Sequence, residues 1–344
     1  MYTIKQVSER LKINPNALRF YEEKGLVNPC RGENGYRDYS VEDISRLEII
    51  VLYRKMGFSI EAIGKLVQDN RNRELLNQFV AQYSILNHHI HTMCTVRETL
   101  GKCVEELLDK SVLNSHILER MEQTAEIIAI SEEWEDKWDF DSWAENYDTD
   151  IRKKGSGLDF YHNYNRVLST TANAILSGKV VEIGIGTGNL AKAALEKGFL
   201  PENYIGIDQS VNMLKEARKK CPDIILRIGD FLHLPLENST CDSIVTSYAF
   251  HHCTHEEKVL AISEMNRILK GQGRIIITDL MFTDSSNRRR YEEACTEAER
   301  EDLKDEYFGN IDEMEAMLSS HGFCCIHKRI DDLIWMIVAD RDKK

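Results

Sequence analysis

The 344-residue sequence contains no run of about 18 apolar residues, the length a helix needs to cross a bilayer. Its start, MYTIKQVSERLKI, lacks an apolar export core and is already patterned like a folded segment. We therefore expect neither signal peptide nor membrane span, and a cytoplasmic protein. The nine cysteines are odd in number and follow no framework spacing, which argues for reduced thiols over a disulfide-stapled fold. Excess positive charge is also missing: the formal net charge is −13. That excludes a surface that binds nucleic acid everywhere. The shortage is uneven, because residues 1–71 hold twelve Lys/Arg against ten Asp/Glu. Any DNA contact belongs in this stretch. Hydrophobic content of 42% and charged content of 29% are ordinary for a globular chain, and the length allows two domains and a connector.

Ile4, Val7 and Leu11 fall at helical spacing after Thr3, an N-cap. Asn14-Pro15 starts a second helix, with Pro15 in its first turn, and Gly25 stops it. Two short helices joined by a tight turn predict a helix-turn-helix. Asn34-Gly35 then marks a hairpin that carries Arg31, Tyr36 and Arg37, as a wing would.

The run ALRFYEEKGLVNPCRGENGYRDYS, followed by LEIIVLYRKMGFSIEAIGKLV, resembles the MerR family of transcription regulators over about residues 1–70. The resemblance implies that Asn16, Arg19 and Tyr21 face DNA from the recognition helix and Arg31, Tyr36 and Arg37 from the wing. Arg54 would approach the backbone from the next helix. It also implies double-stranded promoter DNA as partner and RNA polymerase as an indirect one. For Tyr21 and Tyr39 a place in the core stays open.

From Leu76 the apolar residues step by three and four. One series is Leu76, Tyr83, Ile90, Arg97, Val104; the other is Phe79, Leu86, Met93, Leu100, Leu107. A helix over 76–107 spans about 48 Å, and so narrow a stripe needs a partner helix. The MerR resemblance implies an antiparallel homodimer seam here; packing on the chain's own second domain is the alternative. Cys94, Cys103, His88, His89 and His91 repeat no metal-ligand spacing. Leu113, Ile117, Leu118, Met121, Ala125 and Ile128 make a further helical stripe. Trp134, Trp138 and Trp143 mark a junction with something to bury.

From residue 179 strands alternate with helices. Strands are expected at 179–184, 203–208, 224–228, 242–248 and 273–280, and helices at 188–197, 210–220, 255–270 and 311–321. This pattern predicts an α/β doubly wound, Rossmann-like sheet, closed by a terminal antiparallel hairpin at 323–330 and 333–339. The first loop, Glu182-Ile183-Gly184-Ile185-Gly186-Thr187-Gly188-Asn189, has Asn where a dinucleotide fingerprint needs glycine at 189. Its spacing resembles the S-adenosylmethionine loop of class I methyltransferases. Asp208, followed by Gln209, ends strand two, where an acid accepts from ribose hydroxyls. Asp230 ends strand three, positioned for an adenine amino group, and Phe231 for the adenine face.

FDSWAENYDTDI (140–151), DFYHNYNRVL and YAFHH (248–252) resemble small-molecule methyltransferases of the ubiquinone-biosynthesis type, over about residues 138–282. That resemblance implies a W-x-x-x-Y-D helix over the methionine end of S-adenosylmethionine or its demethylated product, with Trp143 and Tyr147 as lid. His251 and His252 are the candidate catalytic bases, at most one of them lining the pocket; Tyr161 and His162 are weaker ones. His251-His252-Cys253-x-His255 is not expected to hold a metal, since consecutive side chains diverge. Arg288-Arg289-Arg290 faces solvent or an acidic substrate. The expected organisation is a DNA-binding head at 1–72, a coiled-coil dimerisation helix at 73–109, a junction at 110–137 and a methyltransferase-like domain at 138–344. The expected function is a MerR-type regulator whose second domain methylates a small molecule, serves as effector sensor, or both. The alternative is a catalytically silent sensor of the cofactor.

Overall fold

The computed structural model describes residues 1–32, 35–68, 72–110, 115–132, 139–153, 160–303 and 306–341. Within it the chain divides into two compact units, Met1–Leu86 and Asn87–Lys344.

In the first unit β1 (Tyr2–Thr3) leads into α1 (Ile4–Leu11), whose N-cap Thr3 and Gln6 form a capping box. α2 (Pro15–Glu23) starts with Pro15 at its first turn, and the Asn14 side chain accepts from Asn16 N. Gly25 reverses the chain at φ +68°, so Leu26 N reaches Tyr21 O at 2.9 Å. β2 (Cys30–Arg31) and β3 (Arg37–Tyr39) form the expected hairpin, although Asn34 of its turn lies outside the described residues. Sequence reasoning missed β1, which pairs with the other side of β3 to give the order β1-β3-β2. α3 (Val41–Lys55) begins with a Ser40–Asp43 capping box, and α4 (Ile60–Gln68) follows. Val7, Leu18, Tyr21, Tyr39, Leu47, Ile50, Phe58 and Ile63 make the core, so both tyrosines left open above are core aromatics.

α5 (Asn72–Lys110) is one 39-residue helix, and the division between units falls inside it. In the second unit its later turns pair with α6 (Ser115–Glu132), through Thr99 and Thr124 hydroxyls 2.8 Å apart and the buried Cys103 and Ile117. Leu86, Ile90, Met93, Leu100 and Val104 stay exposed. Leu113, Trp134 and Trp138 lie outside the described residues. The single W-x-x-x-Y-D helix expected over the pocket is instead two one-turn helices, α7 (Phe140–Trp143) and α8 (Tyr147–Asp150), separated by a turn at 144–146. α9 (Tyr164–Ala174) completes the cap.

The sheet is built from β4 (Val180–Ile183), β5 (Tyr204–Asp208), β6 (Ile225–Ile228), β7 (Cys241–Ser247) and β8 (Leu269–Phe282). Helices α10 (Asn189–Leu195), α11 (Val211–Lys220) and α12 (His255–Ile268) connect them. After α13 (Ser285–Ala294) and α14 (Glu297–Asp302) come β9 (Gly309–Asn310), α15 (Ile311–Ser320), β10 (Phe323–Arg329) and β11 (Ile334–Arg341). The order is β10-β11-β8-β7-β4-β5-β6, with β9 beside β8. β4 to β8 run parallel, and β11 inserts antiparallel between β8 and β10. This is the doubly wound sheet with a terminal antiparallel hairpin. From β4 the chain winds outward to β5 and β6, then crosses back to β7 on the other side of β4. The crevice at their carboxyl ends is therefore the ligand position of such sheets.

Candidate functional site

That crevice is a recess enclosing about 760 Å³ of empty space, part of it open solvent. Its floor is the loop after β4. Gly184 takes φ +70°, and a Cβ there would lie 2.5 Å from that of Ala249, so only glycine fits. Asp208 ties the loop to the next strand: its Oδ2 accepts from Gly186 N (2.7 Å) and its Oδ1 from Ser210 N (2.9 Å). Asp230 Oδ1 accepts from Leu232 N and His233 N at 2.7 and 2.8 Å. Two strand ends thus present fixed carboxylates to one cavity, with Gln209 and Phe231 beside them. Glu182 lies beneath, buried, taking a 2.7 Å hydrogen bond from Tyr204 OH. Burial pushes its carboxyl up to about 8, against the pull of that hydrogen bond.

The cap closes one side. Asp148 accepts from Thr187 Oγ1 (2.7 Å), Asn189 Nδ2 (2.8 Å) and Lys220 Nζ (2.6 Å). Burial would raise this carboxyl, but the Lys220, Asn189 and Thr187 hydrogen bonds outweigh it and hold the pKa low. Asp141 accepts from Ser210 Oγ and Asn212 N, which fastens α7 to the start of α11. Phe140, Tyr147, Tyr164, Tyr248 and His252 line the remaining wall. Burial pushes the phenols of Tyr147, Tyr164 and Tyr248 well up, so they stay protonated. Tyr248 sits at φ +52°, a conformation costing roughly 1–3 kcal/mol for a bulky residue. Such strain concentrates at sites that need one side chain aimed.

Of the sequence-derived residues, Tyr147, Glu182, Gly184, Gly186, Asp208, Gln209, Asp230, Phe231 and His252 share this cavity. Two do not. Gly188 faces α11 instead: a Cβ there would sit 3.3 Å from the Ala217 backbone, so its glycine serves helix packing. His251 lies behind the wall, with Nδ1 2.6 Å from Asp279 Oδ1. Burial alone would lower its pKa, but Asp279 prevails and raises it. His252 is driven down to about 4 by burial and then by the charge of His251. Trp143 is half-buried outside the wall, donating to Asp150 Oδ2 (3.0 Å) and packing edge-on against Tyr147. His162 pairs with Asp331 at 3.1 Å. Arg288 pairs with Glu292 one helical turn on, so it is committed to its own helix. Among the pocket residues not singled out from sequence are Tyr164, Tyr248, Phe140, Thr187 and Asn189. The cap motif, the YAFHH run and the glycine loop contain them, but their roles were not read.

In the first unit Arg19 and Asn16 are exposed on one face of α2, joined by a 2.7 Å hydrogen bond. Tyr36 is 74% exposed at the hairpin, whereas Tyr21 is 8% exposed, its ring in the core. Glu22 gathers both wing arginines, Arg31 at 2.9 Å and Arg37 more closely. Arg54 Nη1 donates to Phe58 O, bracing the turn between α3 and α4.

Comparison with known proteins agrees with this division. Residues 2–70 match the MerR HTH family of regulatory proteins, and residues 181–277 match a methyltransferase domain. An uncharacterised methyltransferase of Anoxybacillus flavithermus is 34% identical over 209 residues, covering 58% of this chain and 95% of that protein. The chain belongs to the methyltransferase family. Another such methyltransferase, from Geobacillus thermodenitrificans, is 35% identical over 207 residues, covering 58% of this chain and 94% of its own. Ahead of its methyltransferase domain the chain carries a MerR-type helix-turn-helix. A solved SAM-dependent methyltransferase of Thermotoga maritima aligns with 59% of this chain and 98% of its own, at 18% identity and TM-score 0.45. The strand order, not that likeness, carries the fold assignment. Among the described residues no helix is long and apolar enough to cross a membrane.

Proposed function

We propose that this methyltransferase-family chain is a homodimeric, promoter-binding regulator whose pocket holds S-adenosylmethionine or its demethylated product. The observation that carries the reading is convergence. Gly184, which admits no Cβ, and the carboxylates of Asp208 and Asp230 open onto one recess. Asp208 suits the ribose hydroxyls, Asp230 and Phe231 the adenine, and the cap residue Tyr147 the methionine end. When bound, the cofactor supplies an electrophilic methyl group on a sulfonium. The chain's own residues then align an acceptor beside the Tyr147, Tyr164 and Tyr248 wall and keep water out. His252, at about 4, is an acceptor of hydrogen bonds at neutral pH and a weak base, since an effective general base titrates near the working pH.

The exposed face of α5 supports dimerisation: Met93, at its middle, is 63% exposed in a stripe that is apolar apart from Arg97. The opposite face supports a sensor role. Asn87 Nδ2 donates to His233 O (2.7 Å), His88 Nδ1 lies 3.0 Å from His233 Nε2, and His91 Nε2 lies 3.1 Å from Leu234 O. His233 Nδ1 in turn sits 3.1 Å from both oxygens of Asp230. A ligand that engages Asp230 therefore acts two side chains away from the helix that bears the stripe. This favours cofactor sensing, whether or not the methyl group is passed on. Purified transcription from a bound promoter, with and without cofactor, tests it; output that ignores both cofactor forms refutes it. Transfer of labelled methyl to a co-purifying small molecule separates the enzyme from the silent sensor.

A further inference from the structure

Beside the recess three donor groups converge, of which His252 alone also lines it. His251 and His252 occupy a single turn after β7, and Glu306 arrives from the segment before β9. Glu306 Oε2 lies 3.6 Å from His251 Nε2 and 3.4 Å from His252 Nδ1. All three donor atoms fall within 4.8 Å of one another. Consecutive histidines can face one point here because each offers a different ring nitrogen. We propose that His251 Nε2, His252 Nδ1 and Glu306 Oε2 form a binding site for a divalent first-row transition metal, Zn²⁺ foremost.

Distances support this. Charge-assisted N–H···O contacts close to about 2.7–2.9 Å, so 3.4 and 3.6 Å are long for hydrogen-bonded pairs. Donors that share an ion at about 2.1 Å stand roughly 3.0–3.4 Å apart. Orientation supports it too. Asp279 Oδ1 holds His251 Nδ1 at 2.6 Å, while its Oδ2 accepts from Phe250 N (2.7 Å) and His251 N (3.0 Å). A carboxylate behind a histidine fixes the tautomer that leaves Nε2 as donor, the usual support for a metal-bound imidazole. Two carboxylates, Asp279 and Glu306, lie against the histidine pair. Lys258 is committed to the Cys253 and Tyr307 carbonyls. Two imidazoles and a carboxylate suit Zn²⁺ and its neighbours more than Mg²⁺ or Ca²⁺. Since His252 also lines the recess, an ion here would bring a Lewis acid to the acceptor end. That consequence rests on the proposed function; metal binding does not.

The full-length chain, freed of metal, is titrated with Zn²⁺ against a chromogenic chelator and with Co²⁺ by absorption. One sub-micromolar site per chain is expected, with a Co²⁺ spectrum of nitrogen and oxygen ligation and no thiolate charge-transfer band. Glu306→Gln should weaken binding by about 100-fold with unchanged melting in chelator, and Asp279→Asn should weaken it by about 10–100-fold. No site in the wild-type chain, a thiolate band, or wild-type affinity in Glu306→Gln overturns the assignment. The Co²⁺ spectrum of the wild-type chain decides the matter even if a variant fails to fold.

Discussion

The two units deploy polar chemistry in opposite ways. In the first, Asn16, Arg19 and Tyr36 stand in solvent on elements whose inner faces fill a small core. In the second, Glu182, Asp208 and Asp279 are buried and bonded to backbone or neighbouring side chains before any ligand arrives. A polyanionic duplex would be met by exposed polar groups that are free to rearrange and whose charged contacts weaken with salt. A small ligand is met by dipoles fixed in advance, which lose little order on binding. The difference predicts that damage to one unit leaves the other's ligand untouched, unless it falls on α5 or the residues that touch it.

The largest effect should come from the seam. Leu86→Glu with Met93→Glu should weaken dimerisation by at least about 100-fold, seen as monomers in sedimentation, because two charges would be buried against a like pair. Next, Asp208→Ala should cost about 100-fold in cofactor affinity, through loss of charged hydrogen bonds, and leave DNA affinity within about twofold. Arg19→Ala should lower operator affinity by about 10–100-fold in a gel-shift or anisotropy assay while cofactor titration is unchanged. Equal loss of both ligands in either variant would break the separation.

These variants follow from residues that the sequence displayed. The alternation of strands and helices, the glycine loop and the acids at strand ends were legible because each is a local pattern with a fixed period or offset. What was illegible depends on distant partners. Glu306 meets His251 and His252, and His88 meets His233, only because the sheet order brings separate segments together. Gly188 reads as a ligand glycine until α11 is seen against it. The cap motif put Tyr147 at the recess but Trp143 outside it, and Ala144 to Asn146 turn where a continuous helix was expected. Tyr21 was expected to face DNA, with a core place left open, and at 8% exposure its ring lies in the core.

Smaller effects sharpen the contact between pocket and helix. His233→Ala should change cofactor affinity by no more than about threefold, yet reduce the response of transcription to cofactor, because it removes the link between Asp230 and α5. An undiminished response would move the coupling elsewhere, to the α7–α8 cap. The smallest effect is acid sensitivity. Burial holds the His91 pKa below its ordinary value of 6.5, the nearby Glu264 opposing. The unfolded chain therefore takes up a proton before the folded one does. Stability from this contact is full above 6.5 and declines as pH falls from there toward the depressed value. Hydrogen exchange in α5 should quicken over that window, and His91→Gln should remove the change.

The central claim is that the buried carboxylates of the second unit were arranged for a sulfonium nucleoside. Calorimetric titration of the full chain with S-adenosylmethionine and with its demethylated product tests it most directly. The account predicts one site per chain for at least one of the two, lost in Asp208→Ala and retained in Arg19→Ala. Absence of binding by both, or binding unchanged in Asp208→Ala, would contradict it.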